Sequence, residues 1–223
     1  MRFMNKYLII LFVLIISSCG EDDALKEETL YISSENRDWL IADEIGSNFI
    51  MIDNNNIAQG FSMYQNSSDF SPSTSSYFGV KTKVIKTESY TQGYSSNYGQ
   101  RFSYILTAGF APFGDNLSIS INEISFTYDF NFKTIARISY ESNYKSKLMT
   151  DKGYEENDKI YSTVELLDTI TINDRLYSGI MHFSFDDFKD KWSKFTIKEL
   201  YVAKQYGLIK YKLENGITYE RQK

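Results

Sequence analysis

The sequence predicts a mainly β protein, built as one antiparallel β domain in the form of a sandwich or a curved half-barrel. The first observation is composition: aromatic residues reach 16% of 223, so there is ample apolar surface to bury. The second is a period of two, clearest where Phe126, Tyr128, Phe130 and Phe132 alternate with polar residues. The third is turn chemistry between the candidate strands, at residues 53–56, 114–116, 173–174 and 215–216. Together they predict antiparallel strands with one solvated face.

Strand candidates rich in Ile, Val, Thr, Tyr and Phe follow one another along the chain. They are residues 48–52, 58–64, 78–87, 101–107, 117–121, 126–132, 135–140, 161–172, 176–183, 195–202, 208–213 and 217–219. The segment 126–132 has the most regular alternation, and we expect all four of its rings to point inward. Three stretches read as exposed loops: Ser-rich residues 66–76, Tyr- and Ser-rich residues 89–99, and charged residues 141–158.

The last hairpin can be set in register from its turn residues. A two-residue turn at Asn215-Gly216 would pair Lys212 with Tyr219. A three-residue loop that begins at Glu214 pairs Leu213 with Ile217 and Tyr211 with Tyr219, and it leaves Gly216 at the left-handed bulge position. We prefer the second register because it brings the apolar residues together.

One segment departs from the period of two. Phe185, Phe188, Trp192 and Phe195 are spaced three, four and three apart, which is helical spacing. We therefore predict one short helix around residues 186–194, with a loop folded over the sheet edge as the alternative.

The N-terminus has the features of a cleaved signal peptide. Arg2 and Lys6 form a positive start, and ten apolar residues follow at 7–16. At 1.5 Å per residue this run is too short for a hydrocarbon core of about 30 Å. The segment Ile16-Ser17-Ser18-Cys19 then resembles the lipobox of bacterial lipoproteins. The resemblance implies that Cys19 takes a diacylglyceryl group, that cleavage follows residue 18, and that the new amine is acylated by a chain such as palmitate. An ordinary secretory signal is the alternative.

The acidic cluster after this cysteine bears on location. Gly20, Glu21, Asp22 and Asp23 resemble the lipoprotein export signal of Bacteroidota-type bacteria, which implies an outer-membrane lipoprotein at the cell surface. The alternative is a solvated acidic spacer on a protein that stays in the periplasm. We expect residues 1–18 to be the signal peptide, residues 19–36 the lipidated cysteine with an acidic tether, and residues 37–223 a single β-rich domain. Packed structure should begin near Trp39.

The C-terminal third carries a second resemblance. The stretch ITINDRLYSGIMHF and the later ELYVAKQYGLIKYKLENGITYE are similar to the terminal strands of uncharacterised β-rich lipoproteins of the Bacteroidota type. The resemblance implies a curved antiparallel sheet and no particular activity. Gly207 independently predicts a turn or bulge between two strands.

Few residues offer catalytic or metal chemistry. One Cys and one His exclude an internal disulfide and a poly-His or multi-Cys metal centre, and we expect no cofactor. The net charge of −5 predicts no nucleic-acid partner; removal of residues 1–18 leaves 22 basic against 29 acidic residues, about −7.

His182 would need a serine and a carboxylate beside it to form a hydrolytic triad, and it shares one face with Ser178 and Ile180 if the alternation is unbroken. Glu123, Glu165, Asp168, Asp186 and Asp187 are the carboxylates available for a glycosidase pair.

The surface feature that most suggests binding is a set of tyrosines. Tyr90, Tyr94 and Tyr98 recur every four residues among Ser, Gln and Asn, a composition suited to a glycan or protein ligand. The alternative is a hairpin whose tyrosines pack on their own sheet. We expect an outer-membrane lipoprotein that acts as a noncatalytic binding or interaction module. The alternatives are a structural or lipid-handling envelope protein with an apolar groove lined by rings such as Phe126 and Phe130, and a hydrolase.

Overall fold

The protein is a mainly β protein made of one antiparallel sheet, as the sequence predicts. The structure is a computed structural model that describes residues 26–77, 80–109, 114–121, 124–140, 154–156, 159–185 and 197–222. Among these residues, none forms a helix with the length and apolar character needed to span a membrane.

The described chain contains fourteen strands and one short helix. In order they are β1 (Lys26–Leu30), α1 (Ser34–Arg37), β2 (Asn48–Asp53), β3 (Ala58–Tyr77), β4 (Val80–Ser96), β5 (Arg101–Thr107), β6 (Asn116–Ile121), β7 (Ile124–Asp129), β8 (Thr134–Tyr140), β9 (Tyr154–Glu156), β10 (Lys159–Ile172), β11 (Arg175–Phe185), β12 (Ile197–Ala203), β13 (Gly207–Leu213) and β14 (Thr218–Arg221).

The strands are joined as a meander with one crossover. Their order is β8-β7-β6-β5-β4-β3-β2-β14-β13-β12-β11-β10-β9, and β1 pairs with β4 outside this path. The last strand of the chain, β14, therefore pairs with β2 and joins the two halves of the sheet. The sheet nearly closes on itself, with β8 lying against β10.

The described residues divide into two compact units. The smaller contains residues 26–28 and 73–85, which include the distal part of the β3–β4 hairpin, and an ion pair joins Lys83 to Glu28 within it. The larger contains residues 29–72 and the described residues from 86 onward, and it holds the hydrophobic core.

The core of the larger unit is built by alternation along the strands. In β5, Phe102, Tyr104 and Leu106 are buried while the residues between them are partly exposed. Rings connect strands that are distant in the chain: the Phe126 ring centroid of β7 lies 4.6 Å from that of Phe183 in β11. The face of the sheet that carries these rings is therefore filled by side chains rather than open.

The register predicted for the last hairpin is confirmed. The Leu213 N–H donates to the carbonyl of Ile217 over 2.8 Å, and Tyr211 pairs with Tyr219. Gly216 has φ +84°, the left-handed conformation that the bulge position requires. Gly207, with φ +65°, likewise follows the turn between β12 and β13.

The prediction for residues 126–132 is correct in its first half and wrong in its second. Phe126 and Tyr128 are buried, but β7 ends at Asp129. The Asp129 carboxylate is itself buried and accepts the N–H groups of Asn131 (2.8 Å) and Phe132 (3.0 Å), which turns the chain. Phe130 is consequently only partly buried, and Phe132 is exposed.

Two of the predicted loops are strands. Residues 66–76 belong to β3 and residues 89–96 to β4, so only residues 97–99 form the turn that the Tyr- and Ser-rich composition suggests. In β4 the inward positions include Gln92 and Tyr94, both buried. Strands rich in polar and hydroxyl side chains are hard to recognise in a sequence, because backbone pairing across a long hairpin does not require apolar residues on both faces.

The segment assigned to the tether is structured from residue 26 onward. It forms β1 and α1, and Ile32 joins the core ahead of the predicted start of packed structure at Trp39. Polar contacts hold it: Glu88 accepts the Ile32 N–H at 2.8 Å and bonds Arg37 at 2.7 Å. These partners lie more than 50 residues away along the chain, so no local pattern indicates them.

Several other predictions lie outside the described residues. They are the signal peptide, the helix at residues 186–194, and the loop at residues 141–158 apart from β9, where the structure has a strand instead.

Candidate functional site

A row of side chains crosses five neighbouring strands of the C-terminal half on one face of the sheet. The antiparallel registers place Glu165 of β10 opposite His182 of β11, His182 opposite Tyr201 of β12, Tyr201 opposite Lys210 of β13, and Lys210 opposite Glu220 of β14. We call these five residues the cross-strand row. Met181, Phe183, Leu200 and Val202 alternate with its members in β11 and β12, and they face the main core. The row therefore lies on the opposite face of the sheet from that core.

Each member of the cross-strand row contacts the next. The His182 Nδ1 atom lies 3.8 Å from the Glu165 carboxylate, and the His182 and Tyr201 rings stack with centroids 4.1 Å apart at 9°. The Lys210 ammonium lies 5.7 Å from the Tyr201 ring centroid and 2.7 Å from Glu220. Cross-strand pairs of this kind stabilise a sheet modestly, by about 0.2–1 kcal/mol each, and hold the side chains in fixed positions.

A second, shorter line runs beside the row and is formed by Ser184, Glu199 and Lys212. Glu199 accepts a hydrogen bond from the Tyr201 hydroxyl at 2.9 Å and from Lys212 at 3.3 Å. Partial burial raises the pKa of Glu199, but these hydrogen bonds and the nearby positive charge outweigh it, so the pKa lies below its ordinary value. Glu199 is therefore a carboxylate in neutral solution.

The structure supplies the serine and carboxylate neighbours that a catalytic His182 would need, but in a loose arrangement. The Ser184 Oγ lies 3.4 Å from Nε2, and Glu165 lies 3.8 Å from Nδ1. A working nucleophile and base are ordinarily within about 2.6–3.2 Å of each other. Glu199 also lies 3.7 Å from Nε2, the nitrogen that would accept the serine proton. The group is better suited to binding than to proton transfer in this geometry.

The condition attached to His182, an unbroken alternation along β11, does not hold. Tyr177 and Ile180, three residues apart, both lie in a second buried cluster, and Ser178 is exposed. Gly179 between them has φ +61°, a left-handed conformation that changes the face on which the following side chains lie. Ile180 and His182 share a face, but Ser178 does not share it with them.

The three tyrosines proposed as a binding surface are not brought together as one. Tyr94 is fully buried and donates its hydroxyl to Asp43 at 3.1 Å, and burial strongly raises its pKa. Tyr90 is partly buried, and its hydroxyl accepts a hydrogen bond from Arg37 at 3.2 Å. Tyr98, in the turn after β4, is the exposed member of the set. The hairpin alternative therefore describes Tyr90 and Tyr94.

The structure describes only some of the remaining candidate site residues. The lipobox cysteine Cys19 and the export residues Gly20, Glu21, Asp22 and Asp23 lie outside the described residues, as do Glu123, Asp186 and Asp187. Glu165 and Asp168 are exposed on β10. Within the described part of the chain, no group of three or more His, Cys, Asp or Glu residues is arranged to hold a metal ion.

Sequence reasoning found His182 and Glu165 but missed their partners. Ser184 follows His182 by two residues in a strand, a spacing that could have been noted. Glu199 and Tyr201 contact His182 only because of the register of β11 with β12, and Lys210 contacts Tyr201 only because of the register of β12 with β13. Both β12 and β13 were predicted as strands, and β13 was paired correctly with β14, but the registers of β11 with β12 and of β12 with β13 were not predicted.

Comparison of the chain with protein-family models, with curated proteins and with solved structures finds no match.

Proposed function

We propose that the protein is an outer-membrane lipoprotein, held at the cell surface by lipid on Cys19, whose β domain is a noncatalytic binding module. The observation that carries the proposal is the cross-strand row. It is a set of charged and aromatic groups, already ordered by contact with one another, on the face of the sheet away from the main core. Preordered groups lose little conformational entropy when a partner binds.

The geometry of the row favours a polar or protein ligand over a stacked sugar. One face of the Tyr201 ring is covered by His182, and Lys210 lies near the same ring. The faces that a sugar would stack on are thus already in use. Carboxylates, an ammonium group and ring edges remain, and these suit hydrogen bonds and ion pairs with a protein surface.

The alternative of a lipid-handling protein gains little support from the interior. Phe126, which would line an apolar groove, is only 2% exposed and packs on Phe183 and Phe185. Phe130 lies against Trp39, which comes from the N-terminal segment. The rings that would form a groove are used in packing.

Anchoring is tested by Cys19→Ser. The variant loses the thiol that takes the diacylglyceryl group, so metabolic labelling with a fatty-acid probe should mark the wild type and leave the variant unmarked. Equal labelling of the two would remove the anchor from the proposal.

Surface display is tested by changing Glu21, Asp22 and Asp23 to Ala. Proteinase added to intact cells should degrade the wild type and spare the triple variant, with an internal periplasmic protein as the control for cell integrity. Protection of the wild type would place the domain on the periplasmic side.

A hydrolase is the second candidate, because the Ser184 hydroxyl lies 3.4 Å and the Glu165 carboxylate 3.8 Å from the nitrogens of the His182 ring. The full chain should hydrolyse p-nitrophenyl acetate no faster in the wild type than in Ser184→Ala. Hydrolysis that disappears in both Ser184→Ala and His182→Ala, but persists in the neighbouring Lys212→Ala, would establish catalysis and overturn the noncatalytic assignment.

A further inference from the structure

Among the described residues, the outer edge of β10 has no hydrogen-bonded partner strand along most of its length, although β8 lies against part of β10. On one side β10 pairs with β11 from Ser162 to Ile172. On the other side β9 pairs with it only at Lys159, Ile160 and Ser162. Among the described residues no strand pairs with the outer edge of residues 163–172, so its outward backbone N–H and C=O groups form an unoccupied half of a β ladder.

The side chains along this edge are also uncovered. Thr163, Glu165, Leu166, Asp168, Thr169 and Thr171 are exposed. Leu166 is 53% exposed although its neighbours Val164 and Met181 pack against the core. A leucine beside a free ladder gives an added strand an apolar contact as well as backbone hydrogen bonds.

The edge lacks most of the devices that keep sheet edges from pairing. Residues 163–172 contain no proline and no lysine, and their Thr, Val and Ile have high β propensity. The register with β11 runs without a shift over this stretch. The two charges present, Glu165 and Asp168, are both negative.

These two carboxylates decide which strand the edge accepts. A second copy of the chain would bring the same pair of carboxylates to a shared ladder, and the net charge of −5 adds to the repulsion. A strand that carries lysine or arginine is attracted by the same groups. Glu165 retains capacity for such a contact, because its side chain is 68% exposed and its described ionic neighbour, His182, is 3.8 Å away.

We infer that residues 163–172 of β10 form a docking edge that takes an extended, basic strand from a partner protein by β-strand addition. This deepens the proposed function and rests on it, because it names the surface and the kind of partner for the binding module. Glu165 belongs to both the docking edge and the cross-strand row, so a docked strand would lie directly beside the row.

The test uses the full chain in detergent micelles and three ten-residue probe peptides. The first alternates Thr and Val and carries two lysines, the second carries two glutamates in their place, and the third has two central prolines in the lysine sequence. Fluorescence anisotropy should show binding of the lysine peptide that is at least about ten-fold tighter than that of the other two, because only it offers both a ladder and opposite charge. Hydrogen exchange should slow at amides within residues 163–172.

Two matched variants test whether the docking edge, and not the rest of the β10–β11 hairpin, binds the lysine peptide. Leu166→Lys puts a positive charge on the edge and should weaken binding of the lysine peptide about ten-fold or more. Leu176→Lys makes the same change at a leucine that is 67% exposed in β11 and should leave binding within about two-fold. Both sites are exposed, so both variants should fold.

The inference fails if the lysine peptide binds no better than the proline peptide, if protection falls on strands other than β10, or if the two variants behave alike. Dimers of the wild type that Leu166→Lys abolishes would replace the basic partner by a second copy. In these cases the lipid anchor, the surface location and binding through the cross-strand row would stand, since they are tested by different changes.

Discussion

Two regions of the same sheet have similar interiors and different exteriors. In β5–β7 most positions between the buried residues are small hydroxyl side chains, among them Ser103, Ser118, Ser120 and Thr127, and a 2.8 Å hydrogen bond joins Ser118 to Thr127. In β10–β14 the corresponding positions carry the cross-strand row, whose members are linked by stacking and ion pairs. Alternation places every second side chain of these strands in the core. The side chains on the opposite face are therefore free to differ between the two regions.

Under the proposed binding role, this difference predicts that partner contacts fall in the second region. Small hydroxyl groups give the first region a smooth surface with few anchors. Aromatic and charged side chains held in place give the second region the residue types that dominate the energetics of protein interfaces. Substitutions in the shared interior should therefore lower stability more than substitutions on either exterior.

The largest effect is expected for Phe126→Ala. Phe126 joins the two regions, because it lies in β7 and packs on Phe183 and Phe185 of β11. Removal of this ring should lower the free energy of unfolding by about 3–5 kcal/mol in urea titration of the full chain. Phe132→Ala, at an exposed ring six residues away, should stay within about 0.5 kcal/mol. Similar values for both would mean that the interior is not closed at this point.

A smaller effect, with a defined pH dependence, is expected for Asp115→Asn beside the first region. Burial raises the pKa of Asp115, but hydrogen bonds from Asn36, Ser33 and Gly109 outweigh it and hold the pKa below its ordinary value. The side-chain contacts measure 2.8–2.9 Å to Ser33 and Asn36. Hydrogen bonds to a charged group contribute about 1.5–3 kcal/mol, so the variant should be less stable by that order at neutral pH.

The sign of the pH effect follows from the lowered pKa. A carboxyl group whose folded-state pKa is depressed contributes stability above its unfolded-state pKa and loses it as the pH falls through the folded-state value. The stability difference between wild type and Asp115→Asn should therefore shrink on acidification. Glu199→Gln in the second region should show the same direction, with a smaller change because Glu199 is less buried. A difference that grows at low pH would contradict this account of Asp115.

Asp129→Ala should cost about 1–2 kcal/mol, because it leaves the N–H groups of Asn131 and Phe132 without their acceptor in a partly buried turn. Thermal unfolding of the variant beside Asp168→Ala, an exposed aspartate of β10, measures the cost of the turn alone. The regular alternation of residues 126–132 would make Asp129 a surface residue with a near-neutral effect. A neutral result would show that the turn does not depend on this carboxylate.

The smallest stability effect is expected in the row itself. Tyr201→Phe should destabilise by about 0.5–1.5 kcal/mol, because it removes only the hydroxyl that donates to Glu199 and keeps the ring against His182 and the second buried cluster. Ser120→Ala in the first region should be neutral within about 0.5 kcal/mol. A cost of several kcal/mol for Tyr201 would make the row a structural element rather than a binding surface.

The sequence predicts the strands well where alternation is strong and fails where contacts are long-range. The segment 101–107 is correct to the residue and the final hairpin is correct in its register, because apolar periodicity and Gly216 determine them locally. The end of β7 was missed, since Asp129 looks like an ordinary outward residue until its turn is seen. The structured N-terminal segment was missed because Glu88 and Asp115, its acceptors, are distant in the chain.

The candidate site shows the same division. His182 stands out as the sole histidine, and Glu165 as a carboxylate in a strand. They lie in one row with Tyr201, Lys210 and Glu220 only because five strands pair in particular registers. A shift of one residue would move each side chain to the other face. Tyr94, in contrast, looks like a binding residue in sequence and is a core residue in the structure.

The most direct test of binding through the cross-strand row is site-specific photo-crosslinking on living cells that produce the full chain. Benzoylphenylalanine is placed at Tyr201 in one strain and at Ser120 in another, so that the two exteriors are compared in the same protein. The account predicts a discrete crosslinked partner from position 201, absent from position 120 and lost when Lys210 is also changed to Ala. Crosslinking from position 120 alone, or equal products from both positions, would contradict it.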